Sequence, residues 1–178
     1  LGGLVAITAP CAFVQPWAAA VIGIIAGLLI PLALGFFEKR GIDDPVGAIS
    51  VHGVGGIFGV LCVGIFADGQ YGAGWNGTEV TGITGILYDA SDGAKQLASQ
   101  AIGALVICTV IFGVAYAFFK IQNAIMKGGI RSKEADEIEG LDLPEMGMLA
   151  YPEFMGSHVP GLETEQTHDP SGVEMTHK

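Results

Sequence analysis

Hydrophobic and polar positions divide this chain into three long uncharged runs and a mixed C-terminal end. The runs are Trp17 to Phe37, Val46 to Ala67 and Leu97 to Phe119. Each is long enough to cross an apolar slab of ~30 Å as a helix rising ~1.5 Å per residue. They predict membrane helices over about 17–37, 45–67 and 97–127, within a membrane-embedded part covering 1–127. Pro31 interrupts the first run chemically but not in hydropathy. A membrane helix tolerates such a proline where neighbours satisfy the freed carbonyl, and a kink is expected there.

Between the first two runs, Asp43-Asp44-Pro45 carries the chemistry of a helix start. Asp44 is suited to accept a backbone N–H as N-cap, and Pro45 fits the first helical position without losing a hydrogen bond. The stretch Asp68 to Asp92 is rich in Gly, Asn and Thr and predicts an irregular loop, with a glycosylation-type sequon at Asn76-Gly77-Thr78. Gly128-Gly129 is expected to end the third helix. Residues 128–178 then form a tail with Pro144, Gly147, Pro152 and Pro160, not a second folded domain. The middle of that tail keeps Ile138, Leu141, Leu143, Met146, Met148, Leu149, Tyr151 and Phe154, which predicts packing against another surface. From about 155 onward its composition predicts disorder.

Composition reinforces the membrane reading. Of 178 residues, 51% are hydrophobic and only 15% charged, and the mean hydropathy is +0.54, too apolar for an ordinary soluble domain. The chain opens on Leu1 with no basic n-region or small-residue cleavage site, so the opening is not a signal peptide, and a fragment beginning inside a longer protein is expected. The net charge of −10 belongs mostly to the tail, where Glu134 to Lys178 holds eleven acids and one Lys. No basic stripe is present, which excludes nucleic-acid binding. Cys11, Cys62 and Cys108 lie far apart without metal-ligand spacing, and are expected to be packing residues. No metal or cofactor is expected.

Lys and Arg set the orientation, because cytoplasmic flanks collect them. Lys39 and Arg40 follow the first run, and Lys120, Lys127, Arg131 and Lys133 follow or end the third, whereas the Asp68 to Gln96 connection holds only Lys95. An out-to-in, in-to-out, out-to-in path with a cytoplasmic C-terminus fits this distribution.

His52 is the one histidine inside a run, and an intramembrane ionisable residue is by default a functional hypothesis. Its neighbours at i+3, i+4 and i+7 are Gly55, Gly56 and Gly59, a helical face with almost no bulk. Such a face either admits a second helix backbone or leaves a narrow passage beside the imidazole. A buried histidine bonded to a neighbouring helix, or a haem or metal ligand, is the alternative. His158, His168 and His177 lie in the polar tail and are expected to be solvated.

The segment Asp43-Asp44-Pro45-Val46-Gly47-Ala48-Ile49-Ser50-Val51-His52-Gly53-Val54-Gly55-Gly56-Ile57-Phe58-Gly59 resembles the signature around the second pore histidine of the ammonium transporters and channels (Amt/Mep/Rh). Two other segments agree in the same order. They are Gly3-Leu4-Val5-Ala6-Ile7-Thr8-Ala9-Pro10-Cys11-Ala12, and the tail element Glu137-Ile138-Glu139-Gly140-Leu141-Asp142 with Pro144-Glu145-Met146-Gly147 and Ala150-Tyr151. The resemblance implies an all-α polytopic membrane bundle of two inverted halves plus a long final helix, of which this chain would be the C-terminal fragment with the last three transmembrane helices. It further implies a homotrimer in the plasma or inner membrane with one pore per subunit, passing ammonium or ammonia and also methylammonium.

By the same resemblance His52 is one of two imidazoles paired along a hydrophobic pore, and Asp44 fixes the helix that presents it. Gly55, Gly56 and Gly59 let that helix pack closely. Gly47 stands where many members carry an acidic residue, which removes a charge from that vestibule. Gly140, Leu141, Asp142 and Tyr151 belong to a regulatory segment that lies across neighbouring subunits, at a face where a PII signalling protein docks in many bacterial members. The family's gates, cation-recruitment site and partner histidine lie upstream of this chain.

Physics supplies the mechanism expected of such a pore. Desolvating ammonium is costly enough that giving up its proton becomes competitive, and imidazole is the side chain suited to hydrogen-bond ammonia or relay the proton. Transport, not an enzymatic reaction, is therefore the leading expectation. An ammonium sensor or non-conducting scaffold of the same fold is the alternative. A haem-binding oxidoreductase subunit is the enzyme rival, for which no second histidine stands in another run.

Overall fold

The computed structural model describes residues 1–72 and 82–151. The sequon at Asn76, the three tail histidines after residue 151 and the expected disorder beyond about 155 lie outside the described residues. Among the described residues five α-helices are formed: α1 Gly2–Thr8, α2 Pro16–Lys39, α3 Gly55–Phe66, α4 Ala90–Ile125 and α5 Glu134–Glu139. A π-helical turn, Ile49–Val54, leads directly into α3, and a second, Asp142–Met146, follows α5. Among the described residues the only β pairing is an isolated bridge between Asp68 and Thr84. Pro16–Lys39, Ile49–Phe66 and Ala90–Ile125 are each long and apolar enough to cross a membrane, with mean hydropathies of 2.5, 2.0 and 2.4. The fold is an all-α membrane bundle, as the three uncharged runs predict.

α2 starts at Pro16 after an extended Gln15, and Pro31 lies within it without ending it. At its far end Gly41 N–H bonds Glu38 O at 2.9 Å and Ile42 N–H bonds Phe37 O at 3.0 Å, a Schellman closure of the last carbonyls. One face of α2, Ala18, Ile22, Ala26, Ile30 and Ala33, is buried. Its inner part meets Ala6 of α1 and Cys62 and Phe66 of α3 to form the core. Small residues at these contacts let the backbones approach, which is how membrane helices gain packing without a hydrophobic drive between them. The charge-free-run criterion does not pick out α1, because its seven residues end ahead of Pro10 and are too few to span.

The second span begins later than Asp44-Pro45 predicts. Pro45-Val46-Gly47 forms a turn closed by Gly47 N–H on Asp44 O at 3.0 Å. Gly47 has φ +68°, which an L side chain adopts only with strain. Regular helix therefore starts after Gly47, and the proline serves the turn instead.

α3 ends on a partner the sequence did not disclose. Gly85, Ile86 and Leu87 donate their N–H groups to the carbonyls of Ala67, Gly64 and Ile65 at 2.8, 2.9 and 3.2 Å. The connection thus satisfies orphan acceptors at the helix terminus. α4 then opens at Ala90, earlier than 97, because Asp89 accepts the N–H groups of Ser91 and Asp92 at 2.8 and 2.9 Å. Charged Asp92 and Lys95 sit in this first part and obscure it in a hydropathy reading. In α4 only Gly93 is buried. A helix apolar on every side is expected against lipid or further protein.

The chain divides into two compact units, Leu1–Ile121 and Gln122–Lys178. In the second, Gly128 and Gly129 follow the end of α4 with φ of 94° and 81°. Asn123 Oδ1 accepts Ile130 N–H at 3.0 Å, and Arg131 forms a two-pronged ion pair with Glu137 at 2.7 and 2.9 Å. The tail up to Tyr151 is therefore locally built, with helical turns that its Pro and Gly content hides.

Candidate functional site

His52 lies in the π turn and its side chain is exposed, while Ser50 and Val51 in the same turn are buried. It is the only histidine among the described residues. Gly55 N–H reaches back to both Ser50 O and His52 O, which closes the wide turn. π turns are rare and concentrate at functional sites.

Asp44 holds the start of this turn. Its Oδ1 accepts Ile49 N–H at 2.9 Å, and its Oδ2 accepts Ser50 N–H at 3.1 Å and the Ser50 hydroxyl at 3.0 Å. Partial desolvation pushes the Asp44 carboxyl upward, but the hydrogen bonds from Ile49, Ser50 and Ala48 outweigh it and leave it below its ordinary value. Asp44 thus caps a helix beginning several residues beyond it, across the Pro45–Gly47 turn. At Gly47 an added Cβ would meet Leu34 Cδ2 at 3.3 Å, so the position has little room for a larger side chain as well as a positive φ.

The three glycines do not share one environment. A Cβ on Gly59 would collide with the Ala6 backbone of α1, 2.9 Å from its carbonyl carbon and 3.0 Å from its Cα. One on Gly55 would touch Ile30 Cδ1 at 3.4 Å and Val5 Cγ1 at 3.8 Å. On Gly56 it would meet nothing within 4 Å. The i+3, i+4, i+7 grouping with His52 assumes α-helical spacing throughout, and the π turn breaks it. Gly59 faces α1 and Gly55 lies against both α2 and α1, while Gly56 stays on an open side.

In the tail, Gly140 has φ +117° and its N–H caps Asp136 O. Asp142 Oδ2 accepts Ala150 N–H at 3.1 Å, whereas Leu141 and Tyr151 are 38% and 64% exposed. No group of three His, Cys, Asp or Glu among the described residues is placed to hold a metal. An open cavity of about 280 Å³ between α3 and α4 is lined by Ile57, Leu61, Ala101, Ala104, Leu105 and Cys108. Its walls carry no charged side chain.

Sequence reasoning missed Ser50 and Asp68. Ser50 is the only hydroxyl in the second run and stands two residues before its only histidine, a signal that was legible. Asp68 ends the same run, where a lone acid reads as ordinary loop.

The family model of the Ammonium Transporter Family matches residues 1–151. Ammonium transporter Amt2 of Archaeoglobus fulgidus is 45% identical over 155 residues, covering 87% of this chain and 32% of that protein. The ammonium transporter of Bacillus subtilis is 34% identical over 157 residues, covering 87% and 36%. Among solved structures, a Mep2 variant from Candida albicans aligns with a TM-score of 0.63 at 29% identity, over 84% of this chain and 31% of that one. Mep2 of Saccharomyces cerevisiae aligns with a TM-score of 0.54 at 32% identity. The chain spans about a third of the length of these relatives. With the family model matched over most of its length and three membrane-length helices, the second of which opens on a histidine-bearing π turn, the chain belongs to the ammonium transporter family.

Proposed function

We propose that this chain forms part of a transmembrane pathway for ammonium or ammonia in which His52 is one of a pair of pore imidazoles. The observation that carries the reading is an open imidazole within an apolar span, on a turn pinned by Asp44 and next to the unobstructed Gly56. An ammonium ion entering a hydrocarbon-walled passage loses its water, and release of the proton competes with that cost. An imidazole there supplies one acceptor and one donor nitrogen, enough to hold ammonia or move a proton. Family membership and the named transporters support the same substrate.

The rest of the reading follows the family. The protein is a homotrimer in the cell membrane with its C-terminus in the cytoplasm. Gly55 and Gly59 serve close packing, and the Gly140 to Tyr151 segment is a regulatory contact at a face open to a PII signalling protein. Methylammonium is a second substrate.

The test is ammonium-evoked current in proteoliposomes of the full-length protein, with His52→Ala at equal incorporation. Abolished current or altered selectivity in the variant is the expected result. Native protein that gives neither current nor uptake would sink the transport reading in favour of a sensor or scaffold.

A further inference from the structure

We infer that Ser50 is a positioning residue for His52: its hydroxyl and amide tie the π turn to Asp44 and thereby fix the direction in which the imidazole leaves the helix. The inference rests on the reading that His52 lines the pathway. Ser50 is 0% exposed, a fully buried polar side chain in a membrane-length span. Burial of a hydroxyl is costly unless it is bonded, and this one donates to Asp44 Oδ2 at 3.0 Å.

Ser50 is held from both directions. Its N–H donates to the same carboxylate at 3.1 Å, and its carbonyl accepts Gly55 N–H across the turn that contains His52. A π turn is the less stable alternative to α-helix and needs outside contacts to persist. Here those contacts are the bonds to Asp44 from Ala48, Ile49 and Ser50, two of them made by Ser50. Without the hydroxyl, Asp44 Oδ2 loses one of its donors and the turn is freer to shift into α-helical register. A shift by one residue would rotate His52 by ~100° against α3, enough to take its ring out of line with anything facing it.

The experiment uses the full-length protein with Ser50→Ala, Ser50→Thr and His52→Ala. It measures ammonium transport and the rate at which diethyl pyrocarbonate modifies His52, followed by peptide mass spectrometry to separate it from the tail histidines. Ser50→Ala is expected to lower the maximal rate ~3- to 30-fold with less than a ~2-fold change in half-saturation, and to change His52 reactivity by at least ~3-fold. Ser50→Thr, which keeps the hydroxyl, is expected to recover both. If Ser50→Ala fails to assemble, Ser50→Cys, of similar shape with a weak donor, is read by the same criteria. Unchanged His52 reactivity in the hydroxyl-free variant overturns the inference. Full transport by His52→Ala would instead overturn the pathway reading, and the reactivity change would still decide the positioning role.

Discussion

Asp68 accepts a hydrogen bond from the Gln15 side-chain amide at 3.1 Å, joining the Phe66 end of α3 to the Pro16 end of α2. Asp68 is 7% exposed, and its other oxygen accepts the N–H groups of Gln70 and Tyr71, both at 2.9 Å. Gln15 in turn accepts Trp17 Nε1–H at 3.1 Å, and the Trp17 ring stands edge-on to Phe66 at 6.1 Å between centroids. Removing the carboxylate leaves three part-buried donors without this acceptor. Asp68→Ala is expected to destabilise by ~1–3 kcal/mol, measured as a lower thermal midpoint of the purified protein in detergent. Asp68→Asn should fall between, since its amide can satisfy the backbone N–H groups but meets the Gln15 amide donor to donor. An unchanged midpoint in Asp68→Ala would show that the junction does not limit unfolding.

Asp44 gives a pH prediction with a definite sign. Its folded value lies below the ordinary 3.8, with desolvation raising it and the bonds from Ile49 and Ser50 lowering it further. A depressed carboxyl stabilises fully above its ordinary value, and the contribution is lost as pH falls through the lower folded one. From about pH 5 to pH 8 Asp44 therefore stays ionised. Native protein and Asp44→Asn are expected to show transport–pH curves of the same shape over that range, differing only in height. A limb present in one curve and missing from the other would mean that Asp44 titrates during transport.

The glycines separate a packing role from a passage role. Gly59→Ala drives a methyl group into the Ala6 backbone, which cannot swing aside as a side chain can. Overpacking of this kind costs ~1–3 kcal/mol or more, so lower yield and a lower thermal midpoint are expected. Gly56 has open space instead, and Gly56→Ala should fold like the native protein. Under the pore reading, Gly56→Leu should then reduce transport at least ~10-fold while the midpoint stays within about a degree. Loss of stability in Gly56→Ala would place that glycine in a packing contact as well.

Hydropathy made the three spans legible because each buries or exposes apolar groups along its whole length, and no local turn can hide twenty uncharged residues. The boundaries were less legible, since they depend on single bonds. Asp44 was recognisable as a cap, but the positive φ of Gly47 moved the helix start beyond it. Likewise the Asp89 cap carried α4 back through charged Asp92 and Lys95. His52 was legible as a costly residue in an apolar run. Its relation to the glycines was not, because side-chain direction was read on α-helical spacing and the chain adopts a π turn there.

Gly140 carries the clearest prediction for the tail. Its φ of 117° with ψ of 138° lies where only glycine is free of steric conflict. This conformation ends α5, with the Gly140 N–H on Asp136 O at 2.9 Å, and turns the chain so that Asp142 can accept Ala150 N–H. An alanine there would store ~1–3 kcal/mol of backbone strain, more than the exposed Arg131–Glu137 pair offsets, because solvent screens it. Gly140→Ala is therefore expected to release the 134–151 segment, seen as faster limited proteolysis within it, while α2 and α3 remain protected. If this segment couples pores as proposed, the same variant will also lower the transport rate with His52 intact. Faster proteolysis with native transport would separate the fold of the tail from any role in conduction, and an unchanged digestion pattern would show that the glycine conformation is not what holds the segment.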